Sequence, residues 1–486
     1  MINARILPIW SMSSVPNLPA SDSLPDAAVA VPAAALAAAR ACGLQCIEDA
    51  WGAQMRPAGA EAPERSAAVL ADGALSWLAD CSILRVHGDD AMRFLHSQTT
   101  NDLLGQAPES ARWHGYCSPR GRLLALMLAW HGDDGVRLML PAGLAQAIHQ
   151  RLRMFVLRSK VRIADESEAM VAFGLFGRRV PAALGKLGLD APAPMQLARA
   201  EAKFDLPPEQ PDLPSSTSEA PVNGDQAGQG AGRYRLTAIG MPAVQVNALA
   251  EPTAAVDAGR IAVPVGASEA VNAGAVKEEA ATDAATEVQR WLLVVPMAVA
   301  EIVWQRLQAE LEPVDSRLWR WTTIRGGIAS IEPDTSERFV PQMLNLDAEA
   351  LAAVSFTKGC YPGQEVVARS HYLGKAKRRM FLARIPAADG HAPSEPAPGS
   401  DVVDASGRPV GIVVSAATSP AGDVDLLFSG QTDAFEHAPL RIAPPSATEQ
   451  APGTPADDAA GPATSASSAS GSALQSLPLP YSLPAS

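Results

Sequence analysis

"ALSWLADCSILRVHGDDAMRFLHSQTTNDL", residues 74–103, is the stretch whose reading decides the fold. Its first half reads as strands that end at Gly88, where glycine permits a sharp change of direction. Beyond it, Met92, Phe94 and Leu95 fall on the inward face of an amphipathic helix, with Asp89 or Asp90 placed to cap it. The following "WHGYCSPRGRLLALMLAWHGDDGVRLML" (113–140) predicts a meander of strands with turns at Ser-Pro-Arg-Gly and Gly-Asp-Asp-Gly. A helix over 142–153 and a strand, "KVRIAD" (160–165), complete the order strand-helix-strand-strand-helix-strand. That order makes a compact α+β unit, assigned to residues 66–165.

Working outward, a second α+β unit spans 166–318. It opens with the strand "MVAFGLFG" (170–177) and the helix "RRVPAALGKLGL", and resumes with strands in "RYRLTAIGMPAVQVNAL" (233–249). "VQRWLLVVPMAVAEIVWQRLQAEL" (288–311) adds a strand and then a helix. The stretches 205–232 and 250–285 are Pro/Glu/Ser/Gly-rich and Ala/Glu-rich, and are expected to be disordered insertions in surface loops, where closure entropy grows slowly with length. Alternation with Ser-Gly and Ala-Gly turns in 401–429 predicts a small antiparallel β-barrel over 386–443. Residues 444–474 read as disordered, whereas "LPLPYSLP" near the end predicts a tail, 475–486, that docks back on the fold. Residues 1–65 read as a partly disordered N-terminal extension with a candidate helix in the Ala-rich 27–41, and order is expected to begin near residue 68.

The net charge of −13 argues against a surface coated for non-specific nucleic-acid binding. Five cysteines, Cys42, Cys46, Cys81, Cys117 and Cys360, suit a reducing compartment. The apolar run at 27–39 is short and broken by Pro32, so no membrane span is expected, and a cytoplasmic monomer is the default. Cys42 and Cys46 would share a helix face but lack two further ligands for a metal.

Chemistry concentrates in "FTKGCYPGQEVVAR" (356–369), within a segment, 319–385, expected to close the site. Gly359 and Gly363 let the backbone turn, and Pro362 suits an early helix position, with a short helix through Gln364 and Glu365 to Arg369. A thiol at that helix N-terminus near Lys358 would be activated, which makes Cys360 a reactive-thiol candidate beside the competing reading of a buried structural cysteine. No local histidine offers a hydrolase base (His371 is eleven residues on), and no CxxC pair exists for a cluster or redox site. Glu365 and Arg369 stand at ion-pair spacing, while Arg369 or Lys358 also suits a ligand carboxylate. Lys375, Lys377, Arg378, Arg379 and Arg384 form the best basic segment, 375–384. Trp319 and Trp321 alternate, so a strand there would set both on one side, as core or as a platform for a flat ring.

"KGCYPGQEVVAR" resembles the K-G-C-Y-x-G-Q-E-x-x-A-R signature of the YgfZ family, folate-binding proteins tied to iron–sulfur cluster enzymes and tRNA modification. "FVPQMLNLDAEALAAVSF", "GDDAMRFLHSQTTNDL", "CSPRGRLLAL" and "LPYSL" are similar to other parts of that family, which is related to the glycine-cleavage T-protein, an aminomethyltransferase. The resemblance implies a T-protein-like fold: tandem α+β domains, the first of them folate-binding, around a central channel, with a small C-terminal β-barrel. It implies tetrahydrofolate, or a one-carbon-substituted folate, as cofactor, with iron–sulfur client enzymes or assembly factors as partners and a tRNA contact through 375–384. Trp319 falls where the family carries a folate-associated tryptophan, and Tyr361, Gly359, Gly363, Gln364, Glu365 and Arg369 belong to the motif beside the functional thiol Cys360 and Lys358. The family's other such tryptophan aligns near Cys81, with Trp77 close by. Where the T-protein has its catalytic aspartate this chain has Leu124 and Ala125, which cannot move a proton. The implied role is support of iron–sulfur enzymes, tRNA-modifying ones included, rather than classical enzyme catalysis; the alternative is a folate-dependent aminomethyl or one-carbon transferase.

Overall fold

The computed structural model describes residues 31–59, 67–204, 232–246, 286–372, 376–388, 393–437, 439–444 and 472–484. The Pro/Ser-rich beginning of the chain, nearly all of both expected insertions, most of 444–474 and Lys375 lie outside the described residues. Three main sheets organise what is described, and the architecture is mixed α+β.

The first sheet holds β4 (Cys81–His87), β5 (Ala111–Cys117), β6 (Leu123–His131), β7 (Val136–Pro141) and β8 (Arg162–Asp165) in the order β5-β6-β7-β4-β8, antiparallel throughout. β6 is apolar along nearly its whole length and buried on both faces. Helices α3 (Ala91–Gln98) and α4 (Ala142–Val156) cover it. Asp90 does not cap α3 with its side chain; its carboxylate accepts the Lys160 N–H at 2.8 Å and ties the helix entrance to the turn before β8.

The second sheet runs β10-β11-β12-β9-β3-β13, with β3 (Ala74–Leu78), β9 (Met170–Phe176), β10 (Leu197–Phe204), β11 (Gly232–Val246), β12 (Thr286–Pro296) and β13 (Glu312–Pro313). Here the sequence reading of the first unit is corrected. Residues 74–78 leave it and pair with β9, because all five are buried and Trp77 packs on Phe173 and Trp304 of the second core, with ring centroids 4.9 and 5.6 Å away. Helices α2 (Ala67–Asp72), α5 (Val180–Gly185) and α6 (Ala300–Gln308) complete this unit. The two compositionally poor stretches join neighbouring antiparallel strands, β10 to β11 and β11 to β12.

Order does not begin near residue 68. Helix α1 (Ala33–Ala41) and the hairpin of β1 (Leu44–Asp49) and β2 (Gly52–Pro57) add Ala35, Ala39, Leu44 and Met55 to the core around Trp77. Small alanine side chains let α1 lie close to α6, which is what composition alone, read as low complexity, conceals.

The third sheet, β18-β15-β16-β17-β14-β19, comprises β14 (Arg378–Ile385), β15 (Asp401–Val403), β16 (Pro409–Thr418), β17 (Val424–Gln431), β18 (Arg441–Ile442) and β19 (Gln475–Leu477). A bulge between Val413 and Ser415 bends it, but no pairing joins β18 to β19 among the described residues. The described strands thus form a partly curled sheet, without the pairing that would close the small barrel expected. β19 adds to the edge of β14, and Tyr481 donates its hydroxyl to Gly327 O at 2.7 Å.

Helix α7 (Arg317–Arg325) connects the second and third sheets. It is a helix, not the strand that would set its two tryptophans on one side, and at 3.6 residues per turn Trp319 and Trp321 diverge. Trp321 donates to Asp425 of β17 at 2.9 Å, whereas Trp319 meets Phe176 of β9.

Candidate functional site

Helix α8 (Gln364–Tyr372) follows the motif turn, and the turn is locked from two directions. At Gly363 (φ +79°) an added Cβ would sit 2.5 Å from Ser118 O and 2.6 Å from the Gly121 Cα. Gly121 (φ +70°) in turn faces Val366, so the Ser-Pro-Arg-Gly turn of the first sheet and the motif turn pack glycine to glycine.

On the other side Lys358 is buried. Its ammonium donates to His96 O and to Thr99 O (2.5 Å), carbonyls at the C-terminal end of α3 that the helix itself leaves free. The positive charge there also complements the helix dipole. Burial pushes Lys358 down to about 8, while Asp102 and, to a smaller extent, Cys360 hold its charge up. The ammonium lies 5.1 Å from the centroid of the Tyr361 ring, whose hydroxyl burial drives upward.

The strand of chain leading into the motif is stitched to the same region. Asn101 donates to Ala352 O (2.6 Å), Thr100 Oγ1 to Ala353 O (2.7 Å) and Ser355 N to Thr100 O (3.0 Å). Behind them, buried His114 bridges Thr99 and Gln106 at 3.0 and 3.1 Å, and burial lowers it to about 3, so it is neutral. Cys360 thus stands on a loop held by His96, Thr99, Thr100 and Asn101 of the "HSQTTND" region and by Ser118 and Gly121 of the 118–121 turn. It is the exposed one of the five cysteines; Cys117 is buried, and burial pushes both Cys117 and Cys42 up to about 12.

No family model matches the chain. In sequence it is similar to the tRNA-modifying protein YgfZ of Serratia proteamaculans (strain 568), 25% identical over 362 residues that span 74% of this chain and 84% of that protein. The tRNA-modifying protein YgfZ of Edwardsiella ictaluri (strain 93-146) is 26% identical over 302 residues, 62% of this chain and 68% of that protein. Over most of its length the chain thus resembles proteins named tRNA-modifying protein YgfZ. Its fold is similar to that of the glycine cleavage system aminomethyltransferase T from Bartonella henselae, with a TM-score of 0.54 over 84% of this chain and 91% of that one, at 14% identity.

Of the other residues the YgfZ resemblance pointed to, Trp319 lies apart from the Cys360 loop, whereas Gln364, Glu365 and Arg369 continue from it on α8. Trp319 is nine-tenths buried in contact with the second sheet: an added Cβ on Gly174 would meet its ring at 2.4 Å, Phe176 packs at 5.5 Å, and the Arg290 guanidinium lies 5.5 Å from its centroid. Glu365 and Arg369 pair with each other at 3.1 Å on the exposed face of α8. Gln364 begins that helix, half-buried. In the basic segment, Arg379 is held by Asp347 and Arg384 by Asp423 and Asp425. Leu124 and Ala125 are buried apolar residues of β6.

Two neighbours of the motif escaped the sequence reading. The His96 Nε2 lies 4.0 Å from where a Cβ on Gly359 would sit, and its Nδ1 is 3.3 Å from the Asp102 carboxylate. Their sequence signal, "HSQTTND", precedes the motif by more than two hundred residues, so spacing could not connect them. His371, the candidate weighed from sequence, instead stacks on Phe356 with centroids 3.7 Å apart. Beside Phe356 opens a cavity of about 710 Å³, lined among others by Asp102, Arg112, Met195, Leu351 and Ser355.

Proposed function

We propose that the chain is a folate-binding, YgfZ-type factor that supports tRNA-modifying and other iron–sulfur enzymes, with Cys360 as its functional thiol. The observation that carries this reading is the exposed Cys360 on a loop immobilised by Lys358 and the Gly121–Gly363 contact. A thiolate there is attracted by the buried ammonium of Lys358. Exposure gives a large partner access to it, and the immobilised backbone fixes where the sulfur is presented.

For the folate, the faces of Trp319 are already engaged by Gly174 and Arg290, so a ring stacked there does not fit this arrangement. The cavity beside Phe356 fits better. Its volume is within the range of small-molecule sites, Arg112 has no ion-pair partner among the described residues and suits a glutamate carboxylate, and Phe356 and Met195 suit a flat ring. When bound, a reduced folate would supply one-carbon chemistry; this chain's residues would bind and orient it. Leu124 and Ala125, with no acid between them, speak against aminomethyl transfer of the T-protein type.

The decisive experiment is complementation of a host lacking its own YgfZ with wild type, Cys360→Ala and Cys360→Ser. The expected result is loss of iron–sulfur tRNA-modification activity in both variants at unchanged protein level; full activity would remove the thiol's role. A titration with tetrahydrofolate and folinic acid separates the two folate placements. Arg112→Ala should weaken binding at least several-fold, whereas undiminished affinity places the folate elsewhere.

A further inference from the structure

From Gly135 to Ala164 the chain has no aspartate or glutamate, yet it has six cations: Arg137, Arg151, Arg153, Arg158, Lys160 and Arg162. This occurs in a chain of net charge −13. Arg137 is paired with Glu166 and Lys160 with Asp89, but Arg153, Arg158 and Arg162 are exposed and without an ion-pair partner among the described residues. Between them, at the end of α4, three large apolar side chains face solvent: Met154 (56% exposed), Phe155 (41%) and Leu157 (86%). Leu157 ends the helix with φ +44°, a conformation unusual for a residue with a side chain, and it sets that side chain outward. Arg151 lies one turn before Phe155 with its guanidinium 5.9 Å from the ring.

We propose that the C-terminal end of α4 and the turn to β8 form a docking surface for RNA. Unpaired arginines bind phosphates through a planar fork, and the exposed Phe155 offers a face on which a base can stack. The half-charge at the helix C-terminus is outweighed by the surrounding cations. A flat anionic bilayer would bring its charge against much of an acidic protein at once. A single RNA strand can follow the patch alone, without bringing further phosphates against the acidic remainder of the surface. The choice of RNA among polyanions rests on the tRNA-modification reading above, and it moves the RNA contact from 375–384, where Arg379 and Arg384 are already held by carboxylates, to α4.

The test is fluorescence anisotropy of the full chain with labelled bulk tRNA, between about 50 and about 200 mM salt. Wild type should bind with affinity that falls as salt rises. Arg153→Glu/Arg158→Glu should weaken binding by about tenfold or more and flatten the log–log salt slope by about one per lost contact. Phe155→Ser should weaken binding several-fold at an unchanged slope. No binding by wild type, an unaltered double variant, or binding to phosphatidylglycerol vesicles in place of tRNA would overturn the proposal. Cys360→Ala should bind tRNA normally. If the double variant complements the host while Cys360→Ala does not, the docking surface is dispensable to the role proposed for the thiol and falls alone; if wild type does not complement, the functional reading falls.

Discussion

Lys358 joins the motif to the rest of the molecule through two carbonyls at the end of α3. Lys358→Met keeps an apolar stem but strands those acceptors, so a loss of about 2 kcal/mol is expected, readable by urea unfolding. The pH dependence has a definite sign. With its folded value lowered from 10.5 to about 8, the buried ammonium gives up its proton more readily in the folded state. Between those values the unfolded chain binds more protons, so this residue's contribution to stability rises with pH across that window. Subtracting the Lys358→Met profile from wild type should expose that rise; a flat difference would mean that the carbonyls offset the burial. At Gly363 the backbone conformation and the 2.5 Å approach to Ser118 O both exclude a side chain. Gly363→Ala is therefore expected to cost at least about 1 kcal/mol and to raise proteolytic sensitivity at the motif.

At the scale of elements, α7 and the third sheet meet at Asp425. This fully buried carboxylate accepts from Trp321 Nε1 at 2.9 Å and from two nitrogens of Arg384 at 2.7 and 3.0 Å, with Arg325 at 3.8 Å. Asp425→Ala leaves Arg384 and Arg325 without their shared anion, and a loss of about 3 kcal/mol or more is expected by thermal or chemical unfolding. Trp321→Phe keeps most of the packing and should cost about 1 kcal/mol for the lost bond. The antiparallel strands of the third sheet were readable from the apolar alternation of 401–429. The helical state of α7 was not, because a two-residue spacing of tryptophans is compatible with a strand until neighbouring layers decide which faces are buried.

For the whole molecule, the N-terminal elements belong to the second core and fasten α7. Met55 N donates to Ser316 Oγ at 3.0 Å, Ser316 Oγ to Gln54 Oε1 at 3.0 Å, and Arg56 pairs with Asp315 at 2.9 Å. Deleting residues 1–58 should therefore lower the unfolding temperature by several degrees, since a loss of even about 1 kcal/mol shifts the midpoint by about 2–4 °C in larger domains. An unchanged midpoint would show the hairpin to be an accessory. Much of this chain was legible as sequence. The first sheet's strands, the α3 and α4 helices, the turns at Gly121 and Gly363 and the Cys360 motif all rest on local signals: residue periodicity, glycine conformations and the contiguous YgfZ-like signature. Only the tertiary structure decided that β3 crosses to the second sheet, that alanine-rich α1 is core, that Trp319 is enclosed, and that Lys358 reaches residues 96 and 99. These facts depend on which distant surfaces bury each other. A strand's partner, or the acceptor for a buried ammonium, is chosen by the free energy of the whole packing and leaves no periodicity in the segment itself.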